Sequence, residues 1–139
     1  MSRPIARLLM QKAGQDMNLA ELCSRTSDLD TGEHNFGNAV QQAVEKAGKA
    51  LLGWHGKTYS HDHAIAPLFE RITVQVTAVP VHFARLERLT PYAKGFRYEM
   101  TPLQPLPRAE YLRLGREFLS WTRSCMPGWS APPVKRPHR

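Results

Sequence analysis

Small and apolar residues recur at helical spacing along residues 38–52, and this run constrains the fold more than any other part of the chain. They form one stripe, which consists of Val40, Ala43, Val44, Ala47 and Leu51. Glu45 precedes Lys49 by four residues, an order that supports a helix slightly and keeps its other face in water. Because small side chains dominate the stripe, a partner helix can approach closely. The run therefore predicts the central amphipathic helix of a bundle.

The composition favours a single helical domain. The chain has 139 residues, of which 42% are hydrophobic, and a chain of this size can bury a core without disulfides or metals. Helix-forming residues dominate the first 126 residues, whereas the one strand-like run, 72–79, has no evident pairing partner. We therefore predict an all-α domain over residues 1–126. Residues 127–139 are rich in proline and basic residues, so we expect a flexible tail.

Charge and cysteine content limit the partners and the compartment. The formal net charge is +7, and because Lys135, Arg136 and Arg139 supply three of these charges, the body carries +4. This net positive charge is compatible with binding to nucleic acid or to nucleotide phosphates, although charge alone does not establish such a partner. Cys23 and Cys125 are too few for a disulfide framework. With no signal peptide and no apolar run of about 18 residues, we expect a cytoplasmic protein without membrane association.

The helix signals divide the domain into five segments. We predict a first helix that ends near Arg25 and a central helix over 33–52 that ends at Gly53. A short third helix is expected to be capped by Ser60 or Asp62 and to run through Ile72. A fourth helix is expected to begin near Pro80, and the last one to cover 108–125. The segment 101–107 contains three prolines and is predicted to be an extended connector.

Several stretches resemble the HEPN domain family (higher eukaryotes and prokaryotes nucleotide-binding). Residues 12–22, with the sequence KAGQDMNLAEL, are similar to the first helix of the family, in which a Lys-Ala pair precedes an Asp, an Ala-Glu pair and a Leu. Residues 39–52 are similar to the second helix. The pair His61 and Asp62 then opens the short third helix, and residues 89–92 lead to Arg97 and Tyr98, in family order. The resemblance spans residues 5–125.

The resemblance carries expectations about fold, partners and site. It implies an antiparallel four- to five-helix up-and-down bundle that commonly forms homodimers. It also implies a partnership with a minimal nucleotidyltransferase in a toxin–antitoxin type of system, and binding of a nucleotide or RNA. The binding candidates are His61, Asp62, Arg97 and Tyr98, and the polar candidates in the helix core are Asp16, Glu45 and Lys49.

The ribonuclease motif of the active members is missing. Those members are metal-independent enzymes built on Arg-x(4–6)-His, in which the histidine transfers a proton and the arginine stabilises phosphate charge. Here the successive Arg-His pairs are separated by eight, ten or one residues. Ala39 replaces a frequent histidine, and Glu99 and Met100 replace a frequent Pro-Asp. We therefore expect a non-enzymatic binding module. The alternatives are an active ribonuclease with a rearranged Arg/His pair and a pure protein-interaction module.

Each candidate residue also has a structural interpretation. Asp62 can cap a helix while His61 bonds to the preceding loop. Arg97 suits phosphate and Tyr98 suits base stacking, but Arg97 can instead pair with Asp16 or Glu45, and Tyr98 can fill the core. The cluster of His55, His61 and His63 has no cysteine or acidic third ligand at helical spacing. We therefore predict neither a metal site nor a cofactor.

Overall fold

The chain folds into a bundle of helices. The computed structural model describes residues 3–25, 29–59, 63–93 and 107–130, and within these ranges it contains no strand. The helices are α1 (Arg3–Ser24), α2 (Leu29–Trp54), α3 (Ile65–Gln75), a 3-10 helix (Val81–Tyr92) and α4 (Arg108–Ser124). The central helix α2 contacts all four others. In the described part of the chain, no helix combines the length and the apolar character that crossing a membrane requires. The predicted all-α bundle is confirmed.

The apolar stripe of α2 forms the centre of the core. Its residues Val40, Ala43, Val44, Ala47 and Leu51 are all fully buried. The predicted end of the helix at Gly53 is wrong, because α2 continues to Trp54. The chain then closes the helix with Gly56 at φ +69°, and the amides of Gly56 and Lys57 donate to the carbonyls of Gly53 and Leu52. This pair of bonds is a Schellman motif, which satisfies carbonyls at the helix end.

Helix α1 packs against α2 through small residues and methionines. Its buried residues are Ala6, Met10, Ala13, Met17 and Ala20. Ile5 and Leu8 are each 50% exposed and lie on the outer face of α1. At the carboxyl end of α1, the guanidinium of Arg108 donates to the carbonyls of Cys23 and Ser24. A cation at this position binds carbonyls that the helix leaves unpaired.

The fourth predicted helix is a 3-10 helix. Its buried residues Phe83, Leu86, Leu89 and Tyr92 recur every three positions, which is the period of a helix with three residues per turn. Tyr92 packs so closely on α2 that a Cβ added to Gly37 would overlap its ring. Thr90 accepts a hydrogen bond at 3.3 Å from the backbone amide of Ile65, the first residue of α3. The N-cap of α3 is Ala64, without a side-chain cap, so the predicted capping by Ser60 or Asp62 is wrong.

Helix α4 completes the bundle, and the residues that follow it pack against the end of α2. The residues on its inward face are buried and include Tyr111, Leu114, Phe118, Leu119 and Thr122. Beyond α4, the indole nitrogen of Trp54 donates to the carbonyl of Pro127 at 2.9 Å. The ring of Trp129 meets the ring of Trp54 edge-on, with 6.4 Å between centroids. The packing therefore extends past residue 126, while the predicted flexibility of 131–139 concerns residues outside the described ranges.

Candidate functional site

The structure describes three of the seven residues that the sequence proposed for a site. His61, Asp62, Arg97 and Tyr98 lie outside the described residues. The other three, Asp16, Glu45 and Lys49, lie on α1 and α2. Asp16 does not join Glu45 and Lys49, because its carboxylate pairs with Lys46 at 2.6 Å between the two helices.

Glu45 is the centre of a buried polar network. Its side chain is 6% exposed, and its Oε1 lies 2.7 Å from Nζ of Lys49 and 2.8 Å from Nδ1 of His63. Its Oε2 accepts a hydrogen bond at 3.0 Å from the amide of Gln41, which also donates to the backbone carbonyl of His63. The network therefore joins the middle of α2 to the segment that precedes α3.

The electrostatics of Glu45 indicate a structural carboxylate. Burial tends to raise the pKa of Glu45, but hydrogen bonds from Lys49 and His63 outweigh it and hold the pKa below the usual 4.5. Both carboxylate oxygens are occupied by partners within the bundle. Among the described residues, no buried side-chain nitrogen or oxygen lacks a hydrogen-bond partner. The network therefore serves to hold α2 and the start of α3 together.

The histidines near this network also contact the protein. Nδ1 of His63 lies against Glu45, and Nε2 of His55 lies 2.8 Å from the carbonyl oxygen of Cys125. Across the described ranges, no group of three His, Cys, Asp or Glu side chains is placed to hold a metal ion.

A groove between α1 and α4 offers a different kind of site. It has a volume of about 500 Å³ and is open to solvent. Its lining residues are Met10, Gln11, Gly14, Gln15, Asn18, Arg116, Leu119, Arg123 and Trp129. Met10 and Leu119 are buried at its base, so the floor is apolar while the walls carry amides and guanidiniums.

Helix periodicity explains how these side chains meet. Gln11, Gln15 and Asn18 follow one another at intervals of four and three along α1, which places them on one face. Arg116 and Arg123 are seven residues apart, two turns along one face of α4. Trp129 reaches the groove because the chain after α4 packs on Trp54, through the carbonyl of Pro127 and the ring of Trp129 itself.

The groove is basic. None of the described residues that line it is acidic, and Arg123 is exposed. Arg116 pairs with Glu21 at 2.8 Å, but both side chains are about half exposed, 46% and 47%, so solvent weakens this pair. The guanidiniums of Arg3 and Arg7 lie 4.4 and 5.1 Å from the ring of Trp54, next to the Trp129 end. The arrangement can bind an anionic group and a flat ring together.

This groove is not among the sites that we predicted from the sequence. We expected a flexible tail over residues 127–139 and assigned no role to the arginines of α4. Two signals were present: the polar line formed by Gln11, Gln15 and Asn18, and the seven-residue spacing of Arg116 and Arg123. Neither signal shows which helices are neighbours, and that knowledge is needed to place the two lines in one groove.

Comparison with known families decides the assignment. The model of the HEPN domain matches residues 6–124, which cover the bundle from the first buried residue of α1 to the end of α4. The chain belongs to the HEPN domain family. No curated protein and no solved structure shows a significant match. Membership of the HEPN family confirms the resemblance inferred from the sequence and supports a nucleotide- or RNA-related role for this helical module.

Proposed function

We propose that this HEPN module binds a nucleotide or single-stranded RNA without cleaving it, and that the α1–α4 groove holds the phosphates. One observation carries the proposal. Arg116 and Arg123 line the same groove as Trp129, and the described residues of its lining include no acid. A partner with both negative charge and flat rings fits this combination, and nucleotides have both.

The chemistry of the groove matches the parts of a nucleotide. Guanidinium groups bind phosphate oxygens through paired, charge-assisted hydrogen bonds. An indole ring stacks on any base, because every base has a π face. Side-chain amides such as those of Gln11, Gln15 and Asn18 have donors and acceptors for base edges or ribose hydroxyls. The groove is open rather than enclosed, which suits a strand that enters and leaves it.

Binding without cleavage is supported by the absence of Arg-x(4–6)-His from the sequence. The polar groups described in the core also support binding without cleavage, because His63 is paired with Glu45 inside the bundle. The alternative remains an active ribonuclease that uses a rearranged pair such as Arg97 and His61. We retain His61, Asp62, Arg97 and Tyr98 as candidates for contacts beyond the groove.

The proposal includes partners that the HEPN family suggests. We propose that the protein forms a homodimer in the cytoplasm and works with a minimal nucleotidyltransferase in a toxin–antitoxin type of system. The support is the family assignment over residues 6–124. Co-purification of the full chain with the product of a neighbouring nucleotidyltransferase gene is the expected result, and its failure would contradict the partnership with the nucleotidyltransferase alone.

Fluorescence anisotropy with a labelled single-stranded RNA tests the binding. We expect Arg123→Ala to weaken binding about 5- to 10-fold, the loss of one charge-assisted contact. Arg88→Ala is the matched control, because Arg88 is an exposed arginine on the 3-10 helix, outside the groove lining. Equal affinities for the two variants, or no binding by the wild type, would contradict the proposal.

The same RNA, recovered after incubation and run on a denaturing gel, tests for cleavage. We expect full-length RNA. Cleavage by the purified protein would contradict binding without cleavage, and its loss on Arg97→Ala or His61→Ala would establish the ribonuclease alternative.

A further inference from the structure

One end of the bundle, which we call the basic end, combines exposed cations with segments that contain no acid. Helix α1 begins there, α2 ends there, and the chain after α4 packs there through Pro127, whose carbonyl accepts a hydrogen bond from the indole of Trp54. The segments of the basic end are 3–15, 50–59 and 118–130, and none of them contains Asp or Glu. Arg3, Arg7 and Lys57 are exposed within these segments. Their charges are therefore not neutralised by an acid nearby in sequence.

Two arginines converge on one aromatic ring at the basic end. The guanidinium carbons of Arg3 and Arg7 lie 4.4 and 5.1 Å from the centre of the Trp54 ring. Stacking on an indole uses the flat face of a guanidinium, whereas the N–H donors point outward in the plane of the group. Trp54 therefore orients both guanidiniums and leaves their donors available to a ligand. Two cations held this close repel each other, and a bound anion offsets that repulsion.

We propose that Arg3 and Arg7 form a second phosphate site, which continues the α1–α4 groove and makes the ligand a nucleic-acid strand rather than a free nucleotide. This step rests on the proposed function. Trp129 connects the two sites, because it lines the groove and its ring meets the ring of Trp54 edge-on, with 6.4 Å between centroids. A strand whose base stacks on Trp129 therefore has guanidiniums for its phosphates on both sides of that base.

The surface of α1 provides the same continuity. Five residues at successive intervals of four, four, three and four positions occupy one face of the helix. They are Arg3, Arg7, Gln11, Gly14 and Asn18, of which the last three line the groove. At a rise of 1.5 Å per residue, this face is about 22 Å long. One nucleotide does not cover that length, whereas a strand of several nucleotides places successive phosphates along it.

Competition against a labelled RNA, at about 150 mM salt, tests the second site with two unlabelled probes. A uridine trimer matches the length of the groove alone, and a uridine decamer is long enough to reach the basic end as well. We expect Arg3→Ala/Arg7→Ala to weaken binding of the decamer at least about 10-fold, because two charge-assisted contacts are lost. The affinity for the trimer should stay within about 2-fold of the wild-type value, since the groove is unchanged.

Arg25→Ala/Arg88→Ala is the matched control for the loss of two charges. Both arginines are exposed, Arg25 after the other end of α1 and Arg88 on the 3-10 helix. Screening over about 8 Å at this salt concentration should leave both affinities unchanged in the control. Circular dichroism verifies that each variant is folded. An equal loss for trimer and decamer in Arg3→Ala/Arg7→Ala, or a loss no larger than in the control, would overturn the proposal.

The salt dependence provides a second measurement. For the decamer, Arg3→Ala/Arg7→Ala should reduce the slope of log affinity against log salt by about 1.4, and for the trimer it should leave the slope unchanged. If this variant matches its control while Arg123→Ala still weakens RNA binding, the second site is wrong and the proposed function stands. The reverse outcome contradicts the groove as a phosphate site and leaves only the site at Arg3 and Arg7.

A membrane surface is the competing partner for these arginines, because the exposed Ile5 and Leu8 lie beside them on α1. Basic and apolar side chains together on one helix can bind anionic lipid. Sedimentation with phosphatidylserine vesicles distinguishes the two partners. We expect no difference between the wild type and Arg3→Ala/Arg7→Ala. Vesicle binding that is lost in this variant, with the affinity for the decamer unchanged, would assign the arginines to a membrane surface and overturn the proposal.

Discussion

Nδ1 of His63 lies 2.8 Å from Oε1 of Glu45, although the two residues are 18 positions apart in the chain. The contact fixes the segment before α3 against the middle of α2, at a position where Gln41 also donates to the backbone carbonyl of His63. Lys49 binds the same carboxylate oxygen. A buried carboxylate with partners on two segments defines where those segments meet, and its removal leaves Lys49 without its counter-charge.

The first prediction concerns the stability contributed by this carboxylate. We expect Glu45→Gln to lower the free energy of unfolding at pH 7 by about 1–3 kcal/mol, because it removes a charge from a nearly buried ion pair. The control is Asp16→Asn, which removes the carboxylate of the partly exposed Asp16–Lys46 pair and should cost less than about 1 kcal/mol. Urea unfolding measures both values. A larger loss for Asp16→Asn would refute the assignment of Glu45 as the anchor.

The second prediction is the pH dependence of that stability. The pKa of Glu45 in the folded protein lies below its usual 4.5, so the carboxylate stabilises the fold fully above about pH 4.5. This contribution is lost as the pH falls through the lower pKa of the folded state. We expect the unfolding free energy of the wild type to fall more steeply than that of Glu45→Gln below pH 4.5. Parallel pH profiles for the two proteins would show that Glu45 does not titrate in this way.

The third prediction compares two glycines of helices. Gly37→Ala should destabilise the protein by about 1–3 kcal/mol, because the added methyl group would overlap the ring of Tyr92. Gly14→Ala should stabilise it by about 0.5–1 kcal/mol, since a Cβ there meets no atom within 4 Å and alanine favours a helix. Thermal unfolding distinguishes the two. Equal shifts would mean that Tyr92 does not pack on α2 as the structure shows.

The fourth prediction uses tryptophan fluorescence to locate the ligand. RNA binding should quench the emission of Trp129, and Trp129→Phe should remove most of the quenching. Trp121→Phe is the control, because Trp121 contacts the rings of Phe83 and Phe118 and is not among the groove residues. Quenching that survives Trp129→Phe and disappears in Trp121→Phe would place the ligand outside the groove.

The sequence predicted the elements whose pattern is local. The buried stripe of α2 and the inward face of α4 follow directly from helical spacing, and both agree with the structure. The 3-10 geometry was harder to predict, because Phe83, Leu86 and Leu89 also suit part of an α-helical face. Gly53 suggested a helix end, but the end depends on which glycine adopts positive φ, and that residue is Gly56.

The site depended on contacts between distant parts of the chain. Residue spacing identified Glu45 and Lys49 as neighbours four residues apart on α2, but it gave no indication that His63 would bind the same oxygen. Trp129 lies two residues after Pro127 in a segment without periodicity, and only its packing on Trp54 brings it to the groove. The exposure of Ile5 and Leu8 likewise depends on which face of α1 meets α2.

The salt dependence of RNA binding tests most directly the claim that the α1–α4 groove binds phosphates. For single strands, the logarithm of the binding constant falls with the logarithm of salt concentration by about 0.7 per neutralised phosphate. We predict that Arg116→Ala/Arg123→Ala reduces this slope by about 1.4, since two phosphate contacts are lost, and that Arg88→Ala leaves it unchanged. A double variant with the wild-type slope would contradict the account, because the phosphates would then be bound elsewhere on the protein.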